Sequence, residues 1–345
     1  MNSSNKTKKV IISGYYGFNN FGDEAVLSVL VNSLKKENVK VNDITVISKD
    51  PKNTQKKYGI KSVFYFNFFS VFFAMLKSDI LFSGGGSLLQ DVTSSKSLFY
   101  YLFIISLALV LGKKVIIFAQ GIGPVKNDFS QKMTRFILKK CSFVTVRDEK
   151  SLKLLKDWGI SAELTADPVW SMSVGNRYPS NILGVQLRKW ETLTEDKITA
   201  LAKSISKSFS KMKIFIYALQ KSQDKEVCLL FEEKLKEFSP ETYTQIIVNK
   251  SPMEIANSFS NLDMLIAMRY HACLIGLKYK MKVLPIVYDP KVERLADEFG
   301  LADRIYLDSG KEIEEVTETF KASQYEIGEK PLPQFDFSSF AKYLK

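Results

Sequence analysis

Short runs of apolar residues alternate with amphipathic stretches along most of this chain, and the runs have the length of strands. Runs at 10–13, 44–47, 79–82, 113–119, 143–146 and 162–165 read as buried strands, separated by helical patterns that include 25–34, 98–111 and 131–140. Residues 172–180 carry Gly175, Asn176 and Pro179 with little periodicity and read as a linker. The alternation then restarts, with strands at 182–187, 213–218, 244–248, 262–268 and 283–287 and helices at 196–210, 225–238 and through Leu277. Ser251, Pro252 and Glu254 occupy the N-cap, N1 and N3 positions of a further helix. Behind Pro331 and Pro333 the segment 335–344 is amphipathic and reads as folding back onto the first domain.

Strands alternating with helices on both sides of a linker predict an α/β protein of two parallel-sheet, Rossmann-like domains facing a cleft. The boundaries are 1–175 for the first domain, 176–330 for the second and 331–345 for the C-terminal segment. Open sheets of this kind bind ligands beyond the carboxyl ends of their strands, so chemistry is sought there.

Composition narrows the class. A chain of 345 residues, 46% hydrophobic, sustains two cores. Cys141, Cys228 and Cys273 lie far apart, which argues against a disulfide framework or structural zinc and suits a reducing cytosol. The N-terminus lacks the apolar core of a signal peptide. The longest apolar run, 98–111, falls short of the roughly 20 residues that a membrane span needs and reads as a buried helix. An aromatic cluster at 64–73 is also too short to span, but could touch a bilayer surface.

Charge is uneven. The whole chain carries +12, yet residues 1–175 hold 24 Lys/Arg against 13 Asp/Glu, while 176–345 hold 25 against 24. A basic excess confined to one half, beside an aromatic cluster, suits an anionic membrane surface or a phosphate-bearing acceptor. No recognition motif points to nucleic acid, which ranks last among the partners.

Several polar residues fall at predicted strand ends. The loop 14–24 has Gly17 and Gly22 for tight turns, Asn20 as a residue tolerant of left-handed geometry, and Asp23 at an N-cap position. It does not fit the dinucleotide fingerprint. Gly84, Gly85 and Gly86 follow another strand, where either a tight packed turn or a close ligand approach explains them. Gln120 and Gly121 end the strand at 113–119. Arg147 closes the strand at 143–146 and either holds a ligand or pairs with a neighbouring carboxylate. Arg188 ends the strand at 182–187, and Lys291 lies just past that at 283–287.

Arg269 and His271 follow the apolar run 265–268. His271 is the single histidine of the chain, and residues i and i+2 of an extended segment face the same way. A lone histidine is more often structural; the arginine beside it shifts the balance towards function. Arginine forks hold carboxylate and phosphate, and no metal cluster, Walker loop or nucleophile elbow accompanies them. The pattern points to a small, highly charged anion handled without a metal.

In this order, GYYGFNNFGDEAVL (14–27), FSGGGSLLQD (82–91), AQGIGP (119–124), VRDEKS (146–151), ADP (166–168), VQLRKW (185–190), MRYHA (268–272) and YDPK (288–291) resemble the polysaccharide pyruvyltransferases. The likeness covers roughly residues 8–300 and is nearest to the type that pyruvylates secondary cell-wall polymers of Gram-positive bacteria. It implies a GT-B-like fold and transfer of the enolpyruvyl group of phosphoenolpyruvate to a sugar, forming a cyclic ketal. Phosphoenolpyruvate is then a co-substrate and no cofactor is needed. The implied acceptor is an N-acetylmannosamine-containing saccharide on undecaprenyl diphosphate, met at the inner face of the membrane by a cytoplasmic, peripheral enzyme. The ketal later anchors surface-layer proteins. The resemblance places Arg147, Arg269 and His271 at phosphoenolpyruvate-binding positions and Lys291 and Asn20 in active-site motifs. Asn19 departs from the small residue common there.

Two other readings remain open at this level: a nucleotide-sugar glycosyltransferase of the same fold, and a non-catalytic saccharide-binding scaffold.

Overall fold

The structure is a computed structural model that describes residues 8–92, 94–307, 313–323 and 331–345. It divides into two compact units, one ending at Met172 and joined by Pro333–Lys345, the other spanning Ser173–Leu332.

The first unit contains β1 (Val10–Ser13), α1 (Phe21–Lys36), β2 (Ile44–Ser48), α2 (Pro51–Tyr58), β3 (Lys61–Phe64), α3 (Phe68–Leu76) and β4 (Ile80–Gly84). It continues with α4 (Ser95–Val110), β5 (Lys114–Gln120), α5 (Asp128–Leu138), β6 (Phe143–Val146), α6 (Glu149–Asp157) and β7 (Glu163–Leu164). All strands pair in parallel, in the order β3-β2-β1-β4-β5-β6-β7. Strands β1, β4 and β5 are buried along nearly their whole length, the continuous apolar signature of a sheet covered on both faces. Helices α3 to α6 pack on the face that presents Ile11, Leu81, Ile117 and Val144.

Phe82 and Phe118 point towards the C-terminal segment. The rings of Phe335, Phe337 and Phe340 lie within 5.0–6.2 Å of Phe118, and Phe340 lies in the short helix α13 (Ser338–Ala341), numbered after the twelve helices before it. Each fully buried phenylalanine stabilises by about 1.5–3 kcal/mol, so this segment belongs energetically to the first unit.

The second unit repeats the plan: β8 (Ile182–Gln186), α7 (Glu195–Ser208), β9 (Lys213–Ala218), α8 (Lys221–Phe238), β10 (Thr244–Val248), α9 (Pro252–Ser258), β11 (Met264–Ala267), α10 (Tyr270–Lys278), β12 (Lys282–Val287), α11 (Pro290–Glu298), β13 (Ile305–Tyr306) and α12 (Ile313–Ala322). Its parallel sheet runs β10-β9-β8-β11-β12-β13. In both units the strand order reverses beside the first strand, between β1 and β4 and between β8 and β11. The chain leaves these strands in opposite directions there, which opens a crevice for ligands.

Four differences from the pattern-based expectations matter. The aromatic cluster at 64–73 is the end of β3 and most of α3, whose N-cap Asn67 accepts a hydrogen bond from the Ser70 N–H. Apolar residues at almost every position hide the helical period there. Helix α2 carries Asp50 as cap, Pro51 in the first turn and left-handed Gly59 at its end, and being polar and short it lacks the apolar period that marks the other helices. Helix α8 starts at Lys221, four residues before the apolar period begins, because the Asp224 carboxylate accepts the Gln220 N–H at 2.9 Å. Finally, β11 ends at Ala267 and His271 is helical.

Candidate functional site

In the first unit, the loop after β1 is built from its own side chains and those of its neighbours. The Asn20 carbonyl caps α1 by accepting the Gly22 N–H at 3.3 Å. Asn20 itself is extended; the left-handed residue is Asn19, with φ of 55°. Asp23 is thus not the cap expected of it. It lies buried in the first turn, against Gly86, where a Cβ would come 2.5 Å from its Oδ1. Gly86 also has φ of +72°, and Gly85 is packed under Val26 and the Tyr16 hydroxyl. Close packing therefore accounts for these two glycines.

The next residue, Glu24, is also buried. It accepts the Gly17 N–H at 2.8 Å and the Tyr58 hydroxyl at 2.7 Å, and pairs with Lys57 at 3.1 Å. Tyr16 donates to the Gly84 carbonyl. Burial, then the nearby Asp23 charge, pushes the Tyr16 hydroxyl far above its ordinary value, so it remains a donor.

Across the switch point, Gln120 is buried and donates to the Ser83 carbonyl at 2.9 Å, while its own carbonyl oxygen and the Ser13 hydroxyl have no partner among the described residues. Gly121 donates its N–H to Gly86 at 3.0 Å and has Ser87 Oγ where a Cβ would stand. Beside it, Arg147 donates Nη1 to Asp167 Oδ2 at 2.6 Å and Nη2 to Ser87 Oγ at 3.2 Å. A carboxylate that pairs with Arg147 is therefore Asp167, 20 residues away.

In the second unit, Arg269 sits at the N-cap position of α10 with its backbone still extended, while His271 lies in the first helical turn. The alternation of an extended segment does not carry through to His271. The Arg269 side chain turns instead to α8, where Nε and Nη2 reach Asp224 Oδ2 and Oδ1 at 2.8 and 2.6 Å. Nη2 also meets Gln220 Oε1 at 3.2 Å, and the Arg269 N–H donates to Gln186 Oε1 at 2.7 Å. Nη1 takes no part in these bonds. His271 is half-buried, with the Tyr270 ring edge-on at 5.0 Å.

Arg188 is held differently. Its Nη1 donates to the Tyr288 hydroxyl at 3.0 Å and its Nη2 to Gln223 Oε1 at 2.8 Å, and the guanidinium lies 5.0 and 5.2 Å from the Trp190 and Tyr288 rings. These partners are neutral, and the buried Nε has none among the described residues. Gln223 Oε1 is 3.5 Å from Arg269 Nη2 as well, so the two arginines meet on one amide. Lys291, at the start of α11, is half-buried and 3.3 Å from Asp289.

The sequence reading names none of Gln186, Gln220, Gln223, Asp224, Tyr288, Ser87, Asp167 and Glu24 as site residues, although Gln186, Tyr288, Ser87, Asp167 and Glu24 lie within the motifs that carry the resemblance. Gln186 and Gln220 are polar residues at strand ends, the same signal that singled out Arg188 and Arg269. Asp224 and Glu24 lie inside helices, where a charged residue ordinarily faces solvent.

A family model described as polysaccharide pyruvyl transferase matches residues 20–290. No curated protein matches the chain. Among solved structures, a UDP-GlcNAc 2-epimerase from Methanocaldococcus jannaschii is similar at 11% identity, covering 95% of this chain and 94% of that one with a TM-score of 0.60. A UDP-N-acetylglucosamine 2-epimerase described as putative, from Listeria monocytogenes, gives 9% identity, 94% and 93% coverage and a TM-score of 0.59. A glycosyltransferase from Rickettsia africae gives 13%, 91% and 91%, and 0.55. At such identities the likeness is one of fold, and the fold is GT-B-like: two parallel-sheet α/β domains.

Proposed function

The chain belongs to the polysaccharide pyruvyl transferase family, and from that premise we propose that it transfers the enolpyruvyl group of phosphoenolpyruvate to a saccharide, forms a pyruvate ketal and releases phosphate. The observation that best supports anion binding is Arg188. Among the described residues this guanidinium, lying over two rings, bonds only neutral oxygens and its buried Nε has no partner, so no carboxylate competes with a ligand for it.

In this reading Arg188 and the Nη1 edge of Arg269 take the carboxylate and phosphate, with Asp224 fixing the orientation of Arg269. The first-turn N–H groups of α10 favour the same negative charge. Lys291 neutralises phosphate. In the first unit, Arg147 is an anion-binding residue, and the loop carrying Asn20 and Asp23, with Gly85, Gly86, Gln120 and Gly121 behind it, binds the acceptor.

Two sugar oxygens bond to the central carbon, the bond from that carbon to the phosphate oxygen breaks, and the methylene becomes a methyl. Of the two hydroxyl protons lost, one balances the methyl and the other leaves with phosphate. His271 serves this traffic as general acid or holds the leaving phosphate.

The acceptor proposed is N-acetylmannosamine of a saccharide carried on undecaprenyl diphosphate, in cell-wall synthesis that later anchors surface-layer proteins. The enzyme would act from the cytoplasm, peripherally on the membrane. Phosphate release from phosphoenolpyruvate with a lipid-diphosphate disaccharide, the product read by mass, tests the reading. It should fall at least about a hundredfold in His271→Ala. Thermal stabilisation by UDP and none by phosphoenolpyruvate would instead identify a nucleotide-sugar enzyme.

A further inference from the structure

Helix α3 buries Val71 and Met75 and turns Phe68, Phe69, Phe72, Phe73 and Leu76 outward, with Phe69 80% exposed. An outward helical face in water ordinarily carries polar residues; this one carries no charge at all. The face does not stop at α3. Phe68 meets exposed Phe103 of α4 at 5.7 Å, and Phe99, one turn away on α4, meets exposed Phe129 of α5 at 6.0 Å. Three successive helices thus share one connected aromatic surface, larger in kind than the single exposed apolar residues normal on soluble proteins.

The segments that carry it are almost wholly basic in their charges. Residues 61–77, 95–114 and 126–140 hold ten Lys/Arg and a single acidic residue, Asp128. Lys140 lies 4.1 Å from the Phe136 ring, its stem along the apolar surface as interfacial lysines place it.

We propose that the outer face of α3, α4 and α5 seats the protein on an anionic lipid bilayer, the phenylalanines entering the acyl boundary and the lysines meeting the headgroups. Among the described residues no helix is long and apolar enough to cross a membrane, so the mode is interfacial. A second copy is the other occupant to weigh. A self-complementary contact through this face would set basic rim against basic rim, which like-charge repulsion opposes. The face also reaches the candidate site of its own unit. Ring contacts run from Phe18 of the first loop to Tyr65 at 5.6 Å and on to Tyr100 of α4 at 6.0 Å. Only this last placement rests on the pyruvyl-transfer reading; the surface itself rests on the rings and charges.

The test is co-sedimentation of the full chain with phosphatidylglycerol–phosphatidylcholine vesicles and with pure phosphatidylcholine. Binding to the anionic vesicles is expected, weakening with salt. Phe69→Ser combined with Phe73→Ser should lower the partition coefficient about tenfold or more. Phe69→Trp should show a blue-shifted emission on those vesicles that brominated acyl chains quench. A parent that ignores anionic vesicles, a double variant that binds as the parent does, or an unmoved tryptophan overturns the proposal. So does a dimer, seen by light scattering, that the double variant dissociates while vesicle binding is unchanged. Phosphate release with a water-soluble acceptor should be equal in parent and double variant. If the parent lacks that activity while the vesicle results hold, the pyruvyl-transfer reading falls and the membrane surface stands.

Discussion

Arg269 and Asp224 form a two-pronged ion pair at 2.8 and 2.6 Å, with side chains only 9% and 0% exposed. The aspartate comes from the first turn of a helix 45 residues upstream, and it caps that helix as well. One carboxylate therefore fixes both the start of α8 and the direction of the arginine. Breaking a buried pair from one side strands a charge, so Asp224→Ala should lower the unfolding free energy by about 3–5 kcal/mol in a urea titration. Adding Arg269→Met should recover part of the loss, since the stranded charge is then gone. Additive losses in the double variant would show that the two side chains are not coupled.

Arg188→Lys keeps a positive charge but loses the planar fork that reaches both Tyr288 and Gln223. Phosphoenolpyruvate affinity, measured by calorimetry, should fall about 10–100-fold while the urea midpoint moves little. An unchanged dissociation constant would remove Arg188 from the anion site.

Phe340 is fully buried and faces Phe118 at 5.0 Å and Phe143 at 5.4 Å. Phe340→Ala should destabilise by about 3–5 kcal/mol. A loss under about 1 kcal/mol would mean that the C-terminal segment is a dispensable cover.

Burial pushes the thiols of Cys141, Cys228 and Cys273 from the ordinary 9.0 up to about 12. The unfolded chain loses these protons first, so their contribution to stability is intact below pH 9.0 and drains away as the pH climbs towards 12. At about pH 8 a thiol reagent should modify the folded protein about a hundredfold or more slowly than the urea-unfolded chain. Equal rates would contradict the burial.

Much of this architecture was legible in the order of residues. Strands β1, β5, β6, β8, β9 and β10 showed as apolar runs because a sheet covered on both faces needs apolar residues at successive positions. Arg147, Arg188 and Arg269 stood out because each follows such a run directly, and Lys291 because it lies a few residues past one. The same rule could have found Gln186 and Gln220, had amides been weighed beside charges. Asp224 could not have been found that way: within a helix, a carboxylate aimed at an arginine and one aimed at water look alike.

The linear order thus determined the alternation of elements, the family and the strand ends at which polar groups accumulate, because periodicity and turn chemistry are local. Tertiary structure alone decided that Asp167 takes Arg147, that Arg188 and Arg269 share Gln223, and that Asn20 rather than Asp23 caps the first helix. Pairing and burial depend on which distant segments pack together, and no local spacing encodes that choice.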